Sequence, residues 1–200
     1  MEDDAYLTIA GTSEGFYKEK GSKFLAFAYP VKSEEDVKEH IHDLKKQYYD
    51  ARHHCYAFII GSDGSLYRAG DDGEPANSAG NPILGQIRSN ELTNVLIVVV
   101  RYFGGTKLGV SGLIHAYKTA AADALENAEF QKEFLTRKVK LLFQYAQMND
   151  AMKLVKDFDL NVLEQDFAMD CKLTLEIREG IYNQFEAKVN DIYGLSLKVD

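Results

Sequence analysis

The chain has 200 residues, a length that fits one large domain or two domains of roughly 100 residues each. Its hydrophobic content of 46% is enough for a buried core, and no segment approaches the ~18 consecutive apolar residues that a membrane-spanning helix needs. The net charge of −8 argues against a surface that binds nucleic acid throughout, so any anion-binding site must be local.

The N-terminus and the cysteines both favour a cytoplasmic protein. The first residues, Met1 to Ala10, carry three acids and no base, and no apolar segment follows them, unlike a secretory signal. Cys55 and Cys171 are the only cysteines and lie in different predicted domains, so we expect two buried, reduced thiols.

The first part of the chain alternates predicted strands with one helix. Residues rich in β-branched and aromatic side chains predict strands at Tyr6–Thr12 and Lys23–Val31, joined through glycine turns as a hairpin. Ser33 and the three acids after it predict the start of an amphipathic helix that ends near Asp50. Cys55–Ile60 is predicted to be a buried strand, with Ser65–Ala69 as its hairpin partner.

The middle of the chain contains the least regular sequence. Three glycines, two prolines and three carboxylates predict a loop at Gly70–Pro82, and a short helix is predicted at Ile83–Leu92. Asn94–Arg101 is almost continuously apolar, as in a strand covered on both faces. A glycine-rich loop, Tyr102–Gly112, follows it. The alanine-rich stretch Leu113–Phe130 then predicts a long helix.

A second pattern begins near Arg137 and predicts a second domain of about sixty residues. The elements follow the order β-α-β-β-α-β, which is the ferredoxin-like arrangement. We therefore place the first domain at residues 1–132 and the second at residues 137–200. The predicted elements are Val139–Tyr145, Asn149–Phe158, Asn161–Ala168, Cys171–Ile177, Gly180–Ile192 and Leu195–Val199.

The first candidate site is Tyr102–Gly112, which we call the glycine loop. A strand precedes it and a helix follows, and in this geometry backbone N–H groups and a helix N-terminus face an anion. The stretch from Ser65 to Ala120 carries five bases and four acids, so its charge is locally positive. The spacing fits neither a Walker A motif nor the Rossmann glycine pattern, so a tight structural connection is the alternative to an anion or RNA contact. The candidate ligand-binding residues are Arg101, Tyr102, Phe103, Gly104, Gly105, Lys107, Gly109, Gly112 and His115.

The second candidate is Asp71–Gly80, which we call the carboxylate segment. Asp71, Asp72 and Glu74 lie within four positions, and carboxylate oxygens are ligands that Mg²⁺ and Ca²⁺ prefer. The spacing is not that of an EF-hand. The same acids can instead hydrogen-bond loop amides and pair with Arg101, which would hold two loops together. We favour this second interpretation and predict no bound metal ion or cofactor.

The third candidate is the run Arg52-His53-His54-Cys55. Adjacent residues on a strand point to opposite faces, and no second Cys/His cluster completes a tetrahedral zinc site. A Cys–His nucleophile pair is another alternative, although nothing nearby in the sequence lowers the thiol pKa. We keep His53 and Lys23 as residues that line the site.

These motifs resemble those of a known family. The run from Gly80 through Asn-Pro-Ile-Leu to Val-Val-Val-Arg101-Tyr-Phe-Gly-Gly-Thr-Lys-Leu-Gly109 closely resembles the signature of the IMPACT/YigZ family. The segments Asp71-Asp72-Gly73-Glu74-Pro75, Ser22-Lys23-Phe24 and His53-x-Cys55-Tyr56 fit the same family. The resemblance covers Lys20 to about Phe130, and the chain is similar to bacterial-type members that lack the RWD domain.

The resemblance implies an α+β protein with two domains. The first would be of the ribosomal-protein-S5-domain-2-like type, and the second would be ferredoxin-like, similar to the C-terminal part of the translocation elongation factor. Eukaryotic relatives are similar to translation regulators that act through protein partners in amino-acid starvation. The chain departs from the family pattern at Asn77-Ser78, where Gly-Thr is usual, and at His115, where arginine is usual. The second change weakens the positive charge of the site near neutral pH.

Three functions are compatible with these residues, and we favour a non-enzymatic one. The leading hypothesis is a translation-linked regulatory protein that binds RNA or the ribosome through the glycine loop. Arg101 and Lys107 would contact phosphate, and Gly104 and Gly105 would donate backbone N–H groups, while a loop aromatic, Tyr102 or Phe103, would stack on a base. The alternatives are a hydrolase or transferase acting on a phosphorylated or nucleotide-like small molecule, with the three acids in catalysis, and a protein-interaction module.

Overall fold

The computed structural model of the chain describes residues 4–167 and 170–199. The chain forms two compact units, one comprising Tyr6–Glu133 and the other comprising the residues from Phe134 onward together with those up to Ala5. Both units contain sheets and helices, so the protein is of the mixed α and β class. Among the residues that the structure describes, no helix is long and apolar enough to cross a membrane.

A five-stranded antiparallel sheet forms the frame of the first unit. Its strands are β2 (Ser13–Glu19), β3 (Ser22–Pro30), β4 (His53–Ile60), β5 (Leu66–Gly70) and β6 (Val95–Tyr102). They lie in the order β2-β3-β6-β4-β5, so β6 is central and has β3 and β4 as its neighbours.

Helices cover both faces of this sheet. Helix α1 (Glu34–Gln47) packs on one face, and α2 (Gly80–Ser89) and α3 (Gly109–Glu126) pack on the other. Successive residues of β6 alternate between the two cores, because neighbouring side chains of a strand point to opposite faces. Every residue of Val95–Val100 is fully buried, which confirms the prediction of a strand covered on both faces.

The helix boundaries differ from the predicted ones where glycine and proline lie inside a helix. Helix α2 begins at Gly80, inside the stretch predicted as a loop, and Pro82 lies in its first turn, where a missing N–H costs nothing. Helix α3 begins at Gly109 rather than at Leu113 and ends at Glu126, before Phe130. The capping box at Ser33 is confirmed.

The prediction that the first two strands form a hairpin is wrong. The hairpin partner of β3 is β2, which was not predicted as a strand, whereas β1 (Ala5–Ile9) forms a separate two-stranded sheet with β7 (Phe130–Phe134). Gly15 lies in the middle of β2 and not in one of the predicted glycine turns. Its real role is a close approach, because β2 lies directly against the backbone of α3.

The second unit contains the predicted order of elements. Its strands are β8 (Thr136–Phe143), β9 (Asn161–Phe167), β10 (Cys171–Arg178) and β11 (Leu195–Val199), in a sheet of order β11-β8-β10-β9. Helices α4 (Met148–Asp157) and α5 (Glu179–Asn190) contribute to the core on one face of this sheet. Ala168, the predicted end of one strand, lies outside the described residues.

The contact of β2 with α3 can be tested with a single methyl group. A Cβ at Gly15 would lie 2.2 Å from the backbone nitrogen of Ala124 and 2.8 Å from the carbonyl oxygen of Ala120. We expect Gly15→Ala to lower the free energy of unfolding by about 1–3 kcal/mol or more, because two backbones must separate. The measurement is urea unfolding followed by circular dichroism. Gly11→Ala is the control, since no atom lies within 4 Å of its added Cβ, and equal effects of the two changes would contradict this account.

Candidate functional site

A buried ion pair joins the end of β6 to the carboxylate segment. Nη1 of Arg101 lies 2.6 Å from Oε1 of Glu74, and the two side chains are only 7% and 4% exposed. Arg101 stands directly opposite Phe24 on β3 and His53 on β4, so its guanidinium lies on the α2–α3 face of the sheet. The central strand therefore presents its charge to protein groups.

A tyrosine and a cysteine extend this ion pair into the core. The hydroxyl of Tyr117, on α3, donates a 2.8 Å hydrogen bond to the same Glu74 oxygen, and Sγ of Cys55 lies 3.3 Å from that hydroxyl. Burial is the main cause that raises the pKa of Tyr117 and of Cys55 above their ordinary values. Both groups are therefore protonated near neutral pH, and the neutral thiol is a poor nucleophile.

Asp71 caps helix α2 from outside the helix. Its Oδ1 accepts hydrogen bonds from the backbone N–H groups of Ala79 (3.0 Å) and Gly80 (2.8 Å), and its Oδ2 accepts one from Asn77 (2.8 Å). The residue at the N-cap, Ala79, has no side-chain acceptor of its own. Asp71 thus neutralises the positive end of α2 and fixes both ends of the carboxylate segment.

Asp72 ties the same segment to β4. Its Oδ2 accepts a 2.7 Å hydrogen bond from the backbone of His54, and its backbone carbonyl lies 2.9 Å from Nδ1 of His53. Lys45 lies 3.4 Å from Oδ1 of Asp72 on the exposed side. His53 lies on the same face as Arg101, whereas His54 points to the α1 face.

The three carboxylates thus bind amides and an arginine, as the ion-pair interpretation predicted. They point away from one another: Asp71 to α2, Asp72 to β4 and Glu74 to Arg101. Within residues 4–167 and 170–199, no group of three or more His, Cys, Asp or Glu side chains is arranged to hold a metal ion.

Close backbone packing fixes the first part of the glycine loop. Oγ of Ser22 accepts a 3.1 Å hydrogen bond from the backbone N–H of Gly104. A Cβ at Gly104 would lie 1.9 Å from the carbonyl carbon of Gly21, so only glycine fits where the loop meets the β2–β3 turn. Lys20, in that turn, is exposed beside the loop.

The rest of the glycine loop faces solvent. The Phe103 side chain is 57% exposed, and Gly105, Lys107 and Gly109 are exposed as well. The 18-residue helix α3 follows with no side-chain cap at Leu108 and no acid in its first turn. An aromatic ring, a lysine and the positive end of a helix therefore lie close together in the sequence on an exposed connection.

Several predicted site residues lie elsewhere. Arg101 is buried against Glu74 and is not exposed on the glycine loop. Tyr102 points to the α1 face, where its hydroxyl donates a 2.7 Å hydrogen bond to Asp50, so it does not stack on a base beside Arg101. That hydrogen bond is the main cause that raises the pKa of Tyr102 to about 12.

The remaining predicted residues lie at the margin of the loop. Lys23 stands opposite Tyr102 in the register of β3 and β6, on the face away from Arg101. His115 is exposed on the second turn of α3, with its ring 5.7 Å from that of Tyr17. Gly112 lies inside the first turn of α3.

Two residues that the sequence analysis did not place in the site belong to it. Ser22 bridges the glycine loop and Arg101, and its only signal was its position in the family motif. Tyr117 lies on the long helix predicted to follow the glycine loop. The structure gives it both a core position and a polar contact, which a helix periodicity does not predict.

Comparisons with known proteins agree on one family. The model of the Impact N-terminal domain matches residues 20–125. An IMPACT family member of Haemophilus influenzae is 31% identical over 86% of this chain and 84% of its own. The IMPACT family member YvyE of Bacillus subtilis is 28% identical over 94% of this chain and 87% of its own. A crystal structure described as a hypothetical protein is 28% identical, covers 98% of both chains and has a TM-score of 0.77.

The buried ion pair makes a prediction about stability. Arg101→Met leaves the Glu74 carboxylate buried without its partner, so we expect the free energy of unfolding to fall by roughly 3–5 kcal/mol. The exposed pair of Lys38 and Glu35 is the control, and Lys38→Met should change the stability by less than about 1 kcal/mol. Chemical unfolding of both variants is the measurement. A loss below about 1 kcal/mol in Arg101→Met would contradict a structural role of the pair.

His54 makes a prediction about pH. Burial lowers the pKa of His54, a shift that Asp72 partly opposes and Lys45 reinforces. The unfolded chain therefore binds a proton below a pH of about 6.5 more readily than the folded protein does, and stability is lost as the pH falls through that value. We expect His54→Asn to flatten the dependence of unfolding free energy on pH between about 7.5 and 5.5. His42→Asn, at an exposed position of α1, should retain the wild-type slope, and an unchanged slope in His54→Asn would contradict the assignment.

Proposed function

Because the chain belongs to the IMPACT family, we propose that it is a translation-linked regulatory protein that binds RNA or the ribosome through the glycine loop. The link to translation comes from the resemblance to the family's eukaryotic members. The RNA contact is supported by the local chemistry of the loop. The contact surface consists of Phe103, Lys107, Lys20 and the first N–H groups of α3.

The observation that carries this proposal is an exposed aromatic ring beside a positive surface. Phe103 is 57% exposed, and exposed aromatic rings beside lysines are the usual means of binding single-stranded nucleic acid without sequence preference. Lys107 is exposed farther along the loop, and no acid occurs between Tyr102 and Ala122. The surface is therefore positive in a protein whose net charge is −8.

Each group in this surface has a separate task. Phe103 stacks on a base, which contributes about 1–3 kcal/mol and tolerates any sequence. Lys107 and Lys20 contact phosphates and make the affinity depend on salt. The uncapped N–H groups at the start of α3 donate hydrogen bonds to a phosphate oxygen. Arg101 supports this surface from below, through the bond between Ser22 and Gly104, and is not part of it.

The residues that the enzyme hypothesis assigned to catalysis are engaged in other contacts. Asp71, Asp72 and Glu74 were its acid–base candidates, and each is bound to protein groups. Cys55 is buried and protonated. For this reason we do not propose a hydrolase or transferase reaction.

The finer fold assignment is part of the same proposal. The sheet order β11-β8-β10-β9 and the element order β-α-β-β-α-β support a ferredoxin-like second domain. The first domain is proposed to be S5-domain-2-like on the strength of the family resemblance. We keep the boundaries at 1–132 and 137–200, and the cytoplasm as the location, as proposals.

Co-sedimentation with ribosomes tests the function. We expect the wild-type protein to sediment with ribosomes of its host at low salt and to dissociate at moderate salt, because phosphate contacts release counterions. The double change Phe103→Ala/Lys107→Ala should weaken binding by roughly tenfold or more, and the same loss should appear in fluorescence anisotropy with a short single-stranded RNA.

A charge-matched variant separates this surface from general attraction. Lys46→Ala removes an exposed lysine from the last turn of α1 and should leave binding unchanged. Folded wild-type protein that fails to sediment at any salt, or a loop variant that binds as well as wild type, would remove the support for the proposal.

A further inference from the structure

The guanidinium of Arg101 is buried but incompletely bonded. The residue is 6% exposed, and only Nη1 has a short contact, to Glu74. Nη2 lies 3.5 Å from Oγ of Ser22, at the limit of a hydrogen bond. Nε is buried and has no hydrogen-bond partner. Leaving a buried charged donor unpaired costs free energy, so this arrangement is unusual.

Glu74 accepts hydrogen bonds from Arg101 and Tyr117 with the same carboxylate oxygen. Oε1 accepts from both Nη1 of Arg101 and the hydroxyl of Tyr117. A carboxylate that fits a guanidinium well uses two oxygens in two parallel hydrogen bonds. The Arg101 guanidinium and its neighbours thus have more hydrogen-bond donors than the Glu74 carboxylate accepts from.

We infer that Arg101, Tyr117 and Ser22 form a binding pocket for a phosphate group, and that Glu74 occupies this pocket when the ligand is absent. A phosphate has enough oxygens to bind Nε and Nη of Arg101 in parallel and still accept from Tyr117 and Ser22. The ring of Phe24 lies beneath the guanidinium, 5.5 Å from Cζ, and keeps water from that side.

Glu74 lies on a segment from which it can withdraw. Gly73, Pro75 and Ala76, the residues around it, are exposed, whereas the Glu74 side chain is 4% exposed. Asp71 holds the segment on both sides of this tip by its bonds to Asn77 and to the start of α2. The tip can therefore open while the ends of the segment stay fixed.

Displacement of Glu74 gives the protein a switch. The ligand must compete with an internal carboxylate, which lowers its apparent affinity and links binding to the position of the tip. When phosphate occupies the pocket, the Glu74 side chain moves from its buried position into solvent. This inference does not depend on RNA as the partner, because the pocket recognises phosphate in any compound.

Removal of the internal charge tests the pocket. Glu74→Gln keeps the size of the side chain and an oxygen for Tyr117 but removes the competing negative charge. We expect inorganic phosphate, measured by calorimetry against chloride of equal ionic strength, to bind this variant roughly tenfold or more tighter than wild type. Adding Arg101→Lys to Glu74→Gln should abolish the gain, because lysine lacks the planar set of donors. Equal phosphate affinity in wild type and Glu74→Gln, or binding retained in the double variant, would overturn the inference.

A second measurement uses the wild-type protein, in case Glu74→Gln does not fold. Phosphate should increase amide hydrogen exchange at Gly73, Glu74 and Ala76 and leave β4 unchanged, and no change at these three residues would overturn the inference. A short RNA that competes with phosphate for the Glu74→Gln pocket would identify a polymer phosphate as the source, and no competition would assign the pocket to free phosphate or its small esters. Because the Phe103 ring also lies over the Arg101 guanidinium, 5.7 Å from Cζ, the two proposals are separated with Lys107→Ala alone. Loss of ribosome binding in that variant, with phosphate binding unchanged, concerns the loop surface only.

Discussion

The ion pair between Arg101 and Glu74 is the constraint on which the first unit depends. Arg101 lies at the end of the central strand β6, and Glu74 lies in the irregular connection between β5 and α2. Because both charges are removed from water, each is acceptable only while the other is present. The position of the carboxylate segment is therefore specified by electrostatics where the sequence provides little apolar surface to hold it.

The residues of the motif have two separate roles. The charged residues at the end of β6 and in the carboxylate segment face inward, where they hold loops together. The residues that face solvent are an aromatic ring, a lysine and glycines with exposed backbone. A surface of this kind has few directional side-chain contacts to offer, and backbone N–H groups and stacking are suited to partners that vary in sequence.

The sequence predicted the periodic elements well because their patterns are local. The capping box at Ser33, the apolar strand before Arg101 and the order of elements in the second unit all follow from neighbouring residues. Strand β2 was missed because Gly15 reads locally as a turn, whereas its reason lies in α3, more than a hundred residues away. The partner of the Arg101 side chain also depends on residues distant in the sequence. The sequence allowed either a phosphate or Glu74 as that partner, and only the fold determines how deeply the ion pair is buried.

The last two residues of β6 are held from opposite faces of the sheet. Arg101 is bonded to Glu74 on one face, and its neighbour Tyr102 is bonded to Asp50 on the other. At the far side of the glycine loop, one face of α3 is buried from Leu113 onward. The residues between Tyr102 and Leu113 are fixed at both ends and can adopt few conformations. A ligand that orders this loop therefore removes conformational entropy only from these few residues. Ordering a glycine-rich loop normally costs much conformational entropy. In this protein, part of that entropy is already lost in the unbound state, so binding costs less.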